Sequence, residues 1–279
     1  MRKIDPKVIT ETVARLCIEA NYKLPVDVVK ALKSAAKKER GPSKFAVDII
    51  LKNIGIAGKR HIPICQDTGM AVVFLRVGRD VQVGGDLYKA VNEGVKRGYR
   101  QGYLRKSVVA QPFSQRRNTS DNSPAIIHYE PAGGNKIEIT VMPKVFGSEN
   151  VSRLKMFNPG EGAKGIEDFV LGTIKEKGAN ACPPLIVGIG VGGTSEKAML
   201  LAKEALIRKV GAHNKEKEVA ELEKRLYKKV NSLRIGPAGL GGCTTALAVN
   251  IETWPTHIAG LPVALNISCW ALRYAKDTV

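Results

Sequence analysis

Five cysteines, Cys17, Cys65, Cys182, Cys243 and Cys269, form an odd, widely spaced set with no C-x-x-C pair. That pattern argues against both a disulfide framework and a zinc ribbon as the source of stability. The chain has to fold around an apolar core instead, and 279 residues with 44% hydrophobic content suffice for one. Any metal site has to be assembled from distant parts of the sequence. No apolar run approaches the roughly 18–20 residues that cross a bilayer. The charged opening Met1-Arg2-Lys3-Ile4-Asp5-Pro6 leads into an amphipathic pattern and does not read as a secretory signal. A soluble cytoplasmic protein without membrane association is expected.

From Asp5 to about Ala57 the pattern is helical. Val8, Ile9, Val13, Leu16 and Cys17 recur at three- and four-residue steps behind an Asp5-Pro6 cap, which makes Cys17 a core residue. A second helix is expected over Val26–Lys38, ending near Gly41-Pro42, and a third over Phe45–Asn53, stopping near Gly55. The polar loop His61–Gly69 precedes a strand, Met70–Val77, and then a helix, Leu87–Tyr99. A long irregular stretch, Ser107–Pro124, has the length of a functional or disordered loop. Strands follow at Ala125–Tyr129 and Ile137–Met142, joined by Gly133-Gly134-Asn135. Helices are expected over Ile166–Lys177, Ser195–Lys209 and Lys215–Val230, and a buried strand over Pro184–Ile189. The end of the chain holds Gly-rich Gly236–Gly242 and apolar stretches through Val249 and over Leu261–Ile267. With no internal repeat, linker or clean boundary, the expectation is a single domain over 1–279. Its class is mixed α/β (α+β), an N-terminal helical layer (1–58) followed by a mixed sheet with surrounding helices.

Forty-four Lys and Arg against twenty-six Asp and Glu give a formal charge of +18. The basic residues are spread along the chain, and 5% aromatic content leaves no basic–aromatic alternation for stacking bases. Nucleic acid is therefore not the expected partner; small anions or an acidic protein partner account for the field better. Gly188-Ile189-Gly190-Val191-Gly192-Gly193 fits the dinucleotide pattern, amides at a helix start meeting a pyrophosphate. About twenty residues on, however, Val210-Gly211-Ala212-His213-Asn214-Lys215 is no strand ending in an acid, so a tight strand-to-helix turn is the simpler reading. The histidines show no H-x-x-x-H or H-E-x-x-H spacing. His257, in Trp254-Pro255-Thr256-His257, has the rigid flanks that suit a positioned acid–base group. Cys65, Cys182 and Cys269 lie at loop or strand ends, and spacing alone leaves cluster ligands and structural cysteines both open.

Six segments in order resemble the class I fumarate hydratase family, in particular its alpha subunit, shared with L-tartrate dehydratase. They are Ile64–Gly69, Asn118–Ala125, Gly147–Asn150, Gly188–Lys197, Gly239–Thr245 and Pro255–His257. The resemblance runs from about residue 5 to the C-terminus. It implies a 4Fe–4S cluster held by Cys65, Cys182 and Cys269 with one iron left open, and it leaves Cys243 out. It further implies Arg105 as a carboxylate clamp, Gln66 and Gly147 lining the pocket, and Asp67 with His257 as an acid–base or relay pair. The implied reaction is the hydration of fumarate to L-malate, with L-tartrate or another hydroxy-dicarboxylate as the alternative and a nucleotide-dependent oxidoreductase behind both. A separate beta subunit is the implied partner, because single-chain relatives continue into a second domain. Val145-Phe146 before Gly147, and Ser120 where glycine is common, depart from the family pattern and put local loop geometry in doubt.

Overall fold

A computed structural model describes residues 1–279, which divide into two compact units. The first holds Met1–Leu24, Asn53–Phe146 and Arg273–Val279; the second holds Pro25–Lys52 and Gly147–Leu272. In chain order the elements begin with β1 (Arg2–Ile4), α1 (Pro6–Tyr22), α2 (Val26–Lys38), α3 (Gly41–Arg60), β2 (Met70–Gly78), β3 (Val81–Val83) and α4 (Leu87–Gln101). There follow β4 (Ile126–Ala132), β5 (Ile137–Lys144), α5 (Phe146–Glu149), β6 (Arg153–Phe157), α6 (Gly162–Lys177) and β7 (Leu185–Gly192). The chain ends with α7 (Ser195–Leu206), α8 (Lys217–Ser232), β8 (Ala246–Trp254), β9 (Leu261–Ser268) and β10 (Ala275–Thr278). No helix is long and apolar enough to cross a membrane.

The first unit is built on a four-stranded sheet in the order β10-β5-β2-β4, in which β2 runs parallel to β4 and antiparallel to β5. β5 buries Ile137, Ile139 and Val141 completely, the period-two spacing of a strand with one face on the core. α1 opens as its sequence dictates: the Asp5 carboxylate accepts from the Lys7 amide at 2.8 Å, and Pro6 fills the first turn. Its apolar stripe, Ile9, Val13, Leu16 and Cys17, joins Val91, Val95 and Tyr99 of α4 in one core over the sheet. The two helices approach backbone to backbone, since a Cβ at Gly94 or Gly98 would stand 2.7 Å from the carbonyl oxygens of Thr10 or Ala14.

The second unit has the sheet order β6-β9-β7-β8, with β7 parallel to β8 and antiparallel to β9. Ile166, Val170 and Ile174 of α6 join Leu222, Leu226 and Val230 of α8 in a core with the strands. Ala198 and Ala202 of α7 pack with Ala264 in a separate cluster. Both units thus follow one strand plan. A parallel pair is linked through helix, the next strand returns antiparallel to the first, and a fourth strand closes the outer edge.

Several elements differ from the sequence expectations. α3 begins at Gly41 and runs through Gly55 to Arg60, because Pro42 suits a first turn and an interior glycine weakens a helix without ending it. β4 and β5 do not pair with each other; β2 lies between them. β7 continues through Gly192, so Gly188 and Gly190 belong to the strand and not to a turn. A Cβ at these positions would come within 2.1 and 2.0 Å of the Ala202 and Ala198 carbonyl oxygens, so these glycines admit α7 onto the sheet. Of the N-terminal helices, α1 belongs to the first unit, while α2 and the start of α3 belong to the second.

Candidate active site

The chain enters β2 through the loop His61–Gly69, and side chains from elsewhere in the unit hold the carbonyls of Ile64, Asp67, Thr68 and Gly69. Asn53 Nδ2 donates to the carbonyl of Ile64 at 2.8 Å. Arg273 Nη2 donates to that of Asp67, and the Tyr99 hydroxyl to those of Thr68 and Gly69 at 2.8 and 3.1 Å. Asn122 Nδ2 adds a second donor to Gly69 at 3.2 Å. Burial pushes the Tyr99 phenol well above its ordinary range, so it remains a neutral donor. Gly69 itself takes φ +72° with its Cα against Lys144, where a Cβ would lie 2.9 Å from the Lys144 backbone.

The polar side chains of this loop are positioned as firmly. Asp67 accepts from the Gly69 amide on Oδ1 and from the Phe146 amide on Oδ2, each at 3.0 Å. Arg105 Nη1 donates to Gln66 Oε1 at 3.0 Å, and Thr68 Oγ1 donates to the Arg105 carbonyl at 2.9 Å. Gln66, Asp67 and Arg105 therefore gather around the half-buried Cys65 loop. The strand register explains Phe146: Met70 pairs with Lys144, so the segment entering β2 runs beside the one leaving β5.

The second unit repeats this juxtaposition with cysteines. Cys182, in a left-handed conformation (φ 53°, ψ 67°), precedes β7, and Cys269 follows β9. Ile186 pairs with Ser268, and the Trp270 amide donates to the Cys182 carbonyl at 3.3 Å, so the two cysteines share one end of the sheet. Cys182 is exposed, Cys269 is buried, and neither is in a disulfide. Gly147 lies in the short α5, which is anchored through Glu149 to Lys203 Nζ at 2.8 Å and Asn266 Nδ2 at 3.0 Å.

His257 is not brought to Cys182 and Cys269. Its loop follows β8 at the end where Trp254 pairs with Gly192, and it is pinned there by Thr256 Oγ1 donating to the Gly193 carbonyl at 2.9 Å. The six steps from Ile186 to Gly192, at about 3.3 Å each, put this end about 20 Å from the two cysteines. His257 is exposed, and its Nδ1 accepts from the Ala259 amide at 3.2 Å.

The remaining cysteines have other occupations. Cys17 is fully buried, and burial pushes its thiol up to about 12. Cys243 gives its amide (3.1 Å) and thiol (3.2 Å) to the Glu39 carboxylate, which also accepts from Ser43 at 2.9 Å. Burial opposes the charge on Glu39, yet hydrogen bonds from Thr244, Cys243 and Ser43 lower its pKa. No three His, Cys, Asp or Glu side chains converge as ligands of one metal ion. Sequence reading missed Tyr99 and Arg273 as supports of the site; Arg273 follows Cys269 by four residues, the one local cue.

Comparison with known proteins gives the family. The profile of the family described as Fumarate hydratase (Fumerase) matches residues 10–278. A Methanocaldococcus jannaschii protein named "Putative L(+)-tartrate dehydratase subunit alpha" is 44% identical over 274 residues, covering 96% of each chain. The L(+)-tartrate dehydratase subunit alpha of Escherichia coli strain UTI89 is 31% identical over 268 residues, 95% of this chain and 88% of its own. The same subunit from strain K12 is also 31% identical over 268 residues. On a match that spans nearly its whole length, the chain belongs to the fumarate hydratase family, a family of hydro-lyases.

Proposed function

We propose that this chain is the alpha subunit of an iron–sulfur hydro-lyase that hydrates fumarate to L-malate and works with a separate beta subunit. The dehydration of L-tartrate is the second reading, favoured by the names of the relatives above. The observation that carries the proposal is the Trp270–Cys182 hydrogen bond, which keeps Cys182 and Cys269 at one end of the sheet. Cys65, free and half-buried in a fixed loop, completes the ligand set that the family resemblance implies. Three cysteines at loop and strand ends, none in a disulfide, are chemically suited to a 4Fe–4S cluster, as Cys17, sealed between helices, is not. When bound, such a cluster supplies a Lewis acid for the departing or arriving hydroxyl.

The protein groups then have distinct tasks. Arg105, held by Gln66, offers its free guanidinium edge to a substrate carboxylate. Asp67 takes the proton from the carbon next to the hydroxyl-bearing one during dehydration and returns it during hydration. The amides of Gly69 and Phe146 fix its carboxylate for that transfer. The family resemblance adds Gly147, next in sequence to Phe146, as a substrate-binding residue. No step is assigned to His257. The beta subunit supplies the remaining substrate contacts, and the +18 charge suits an acidic partner and a dianionic substrate.

Anaerobic reconstitution followed by iron and sulfide analysis tests the reading. About four irons per chain and a brown colour that bleaches in air are expected. A chain still colourless and metal-free after reconstitution overturns it. With the beta subunit present, kcat/KM for fumarate exceeding that for L-tartrate supports the first reading, and the reverse order selects the second.

A further inference from the structure

We propose that Arg273 is the positioning residue of the Cys65–Gly69 loop, a sealed cation whose one hydrogen bond, to the Asp67 carbonyl, sets the loop before cluster or substrate arrives. Its functional weight rests on the roles proposed above for Cys65 and Asp67; its structural part does not. Arg273 is 1% exposed and heads the largest fully buried side chains of the molecule. Its Nη2 donates to the Asp67 carbonyl, while Nε and Nη1 are buried without a hydrogen-bond partner. No carboxylate forms an ion pair with it.

A buried guanidinium with two unsatisfied donors is costly, and an apolar side chain of similar volume commonly packs such a place better. What the arginine uniquely delivers is a long-reach donor that never loses its proton. It delivers that donor to one atom. The carbonyls of Asp67, Thr68 and Gly69 are each held by a buried side chain: Arg273 takes the first, Tyr99 the second and third, and Asn122 also the third. Thr68 and Gly69 are thereby fixed from α4 and from the long loop. Asp67, whose carboxylate must be aimed, is fixed at its backbone from Arg273 alone. Cys65 stands two residues before it.

Hydrogen exchange on the metal-free full-length chain separates positioning from packing. Arg273→Met keeps the apolar stem and loses the donor; Arg273→Lys keeps a charged donor. The expected result is amide exchange at residues 64–70 at least about tenfold faster in Arg273→Met, largely restored in Arg273→Lys, with β2 and β5 unchanged in both. Equal exchange in the two variants, at any rate, overturns the proposal, because packing alone would then explain the residue. If Arg273→Met does not fold, Arg273→Leu, which also lacks a donor, takes its place with the same two outcomes. After reconstitution, iron is expected to leave Arg273→Met faster than Arg273→Lys. A wild-type chain that takes up no iron defeats the cluster reading but leaves the exchange result to decide the positioning role.

Discussion

Buried charge is handled in two opposite ways in this protein. Arg273 is buried without a counter-ion, whereas Glu167, 5% exposed, is paired with Lys229 and, at 3.1 Å, with Arg225. The hydrogen bond from Lys229, then that from Arg225, holds the Glu167 carboxyl below its ordinary 4.5 against the cost of burial. A depressed folded-state pKa contributes stability above the unfolded value and loses it as pH falls through the folded one. Glu167→Gln is therefore expected to cost about 1–2 kcal/mol at pH 7, a modest figure because both cations are half-exposed. Urea denaturation at pH 7 and again below pH 4 should show that deficit shrinking on acidification. A deficit independent of pH would mean that packing, not charge, is lost. At this scale the sequence exposed the polar residues of the His61–Gly69 loop, because Cys, Gln and Asp before glycine have no packing explanation. It hid Tyr99 and Arg273, because a side chain that supports a distant carbonyl has no local signature.

Among the elements, glycine has opposite meanings in β7 and in α6. At Gly190 a Cβ would stand 2.0 Å from the Ala198 carbonyl oxygen and 2.6 Å from the Ala202 amide, so α7 would have to leave the sheet. Gly172 sits within α6 with nothing within 4 Å of a Cβ. Gly190→Ala is expected to destabilise by about 2–4 kcal/mol through overpacking, and Gly172→Ala to stabilise by about 0.5–1 kcal/mol through helix propensity. Thermal melts of the two variants should move in opposite directions; a Gly190→Ala melt at the wild-type temperature would refute the packing role. Periodicity revealed α1, α2, α4 and the strands β2, β7 and β9, whose apolar faces are long enough to show a period. It could not show β1, β3, β6 or β10, which have three to five residues each and gain their identity from a neighbour. Nor could it order β4, β2 and β5, since turn residues report that a chain reverses and not which strand it pairs with.

At the scale of the whole chain, the two units share a strand plan that the sequence does not betray as a repeat. Alternation and a few glycines suffice to build it, and those leave the identities of most residues free. In each unit the segment entering the first strand of the parallel pair lies beside the segment leaving its antiparallel neighbour. One such junction holds Asp67, two residues after Cys65, to Phe146, and the other holds Cys182 to Trp270, the residue after Cys269. His257 belongs to neither junction, since it follows β8 at the opposite end of its sheet. That difference yields a prediction about metal retention that activity alone could not deliver. Cys182→Ser and Cys269→Ser, each removing a thiol from one junction, should drop bound iron well below the wild-type level after identical reconstitution. His257→Asn, about 20 Å along the strands from that end, should leave iron content and the absorption spectrum unchanged whatever it does to turnover. Cys243→Ser should do likewise, because its sulfur is engaged with Glu39. Iron lost in His257→Asn to the extent seen in Cys182→Ser would mean that the junction of Cys182 and Cys269 is not where the metal is held.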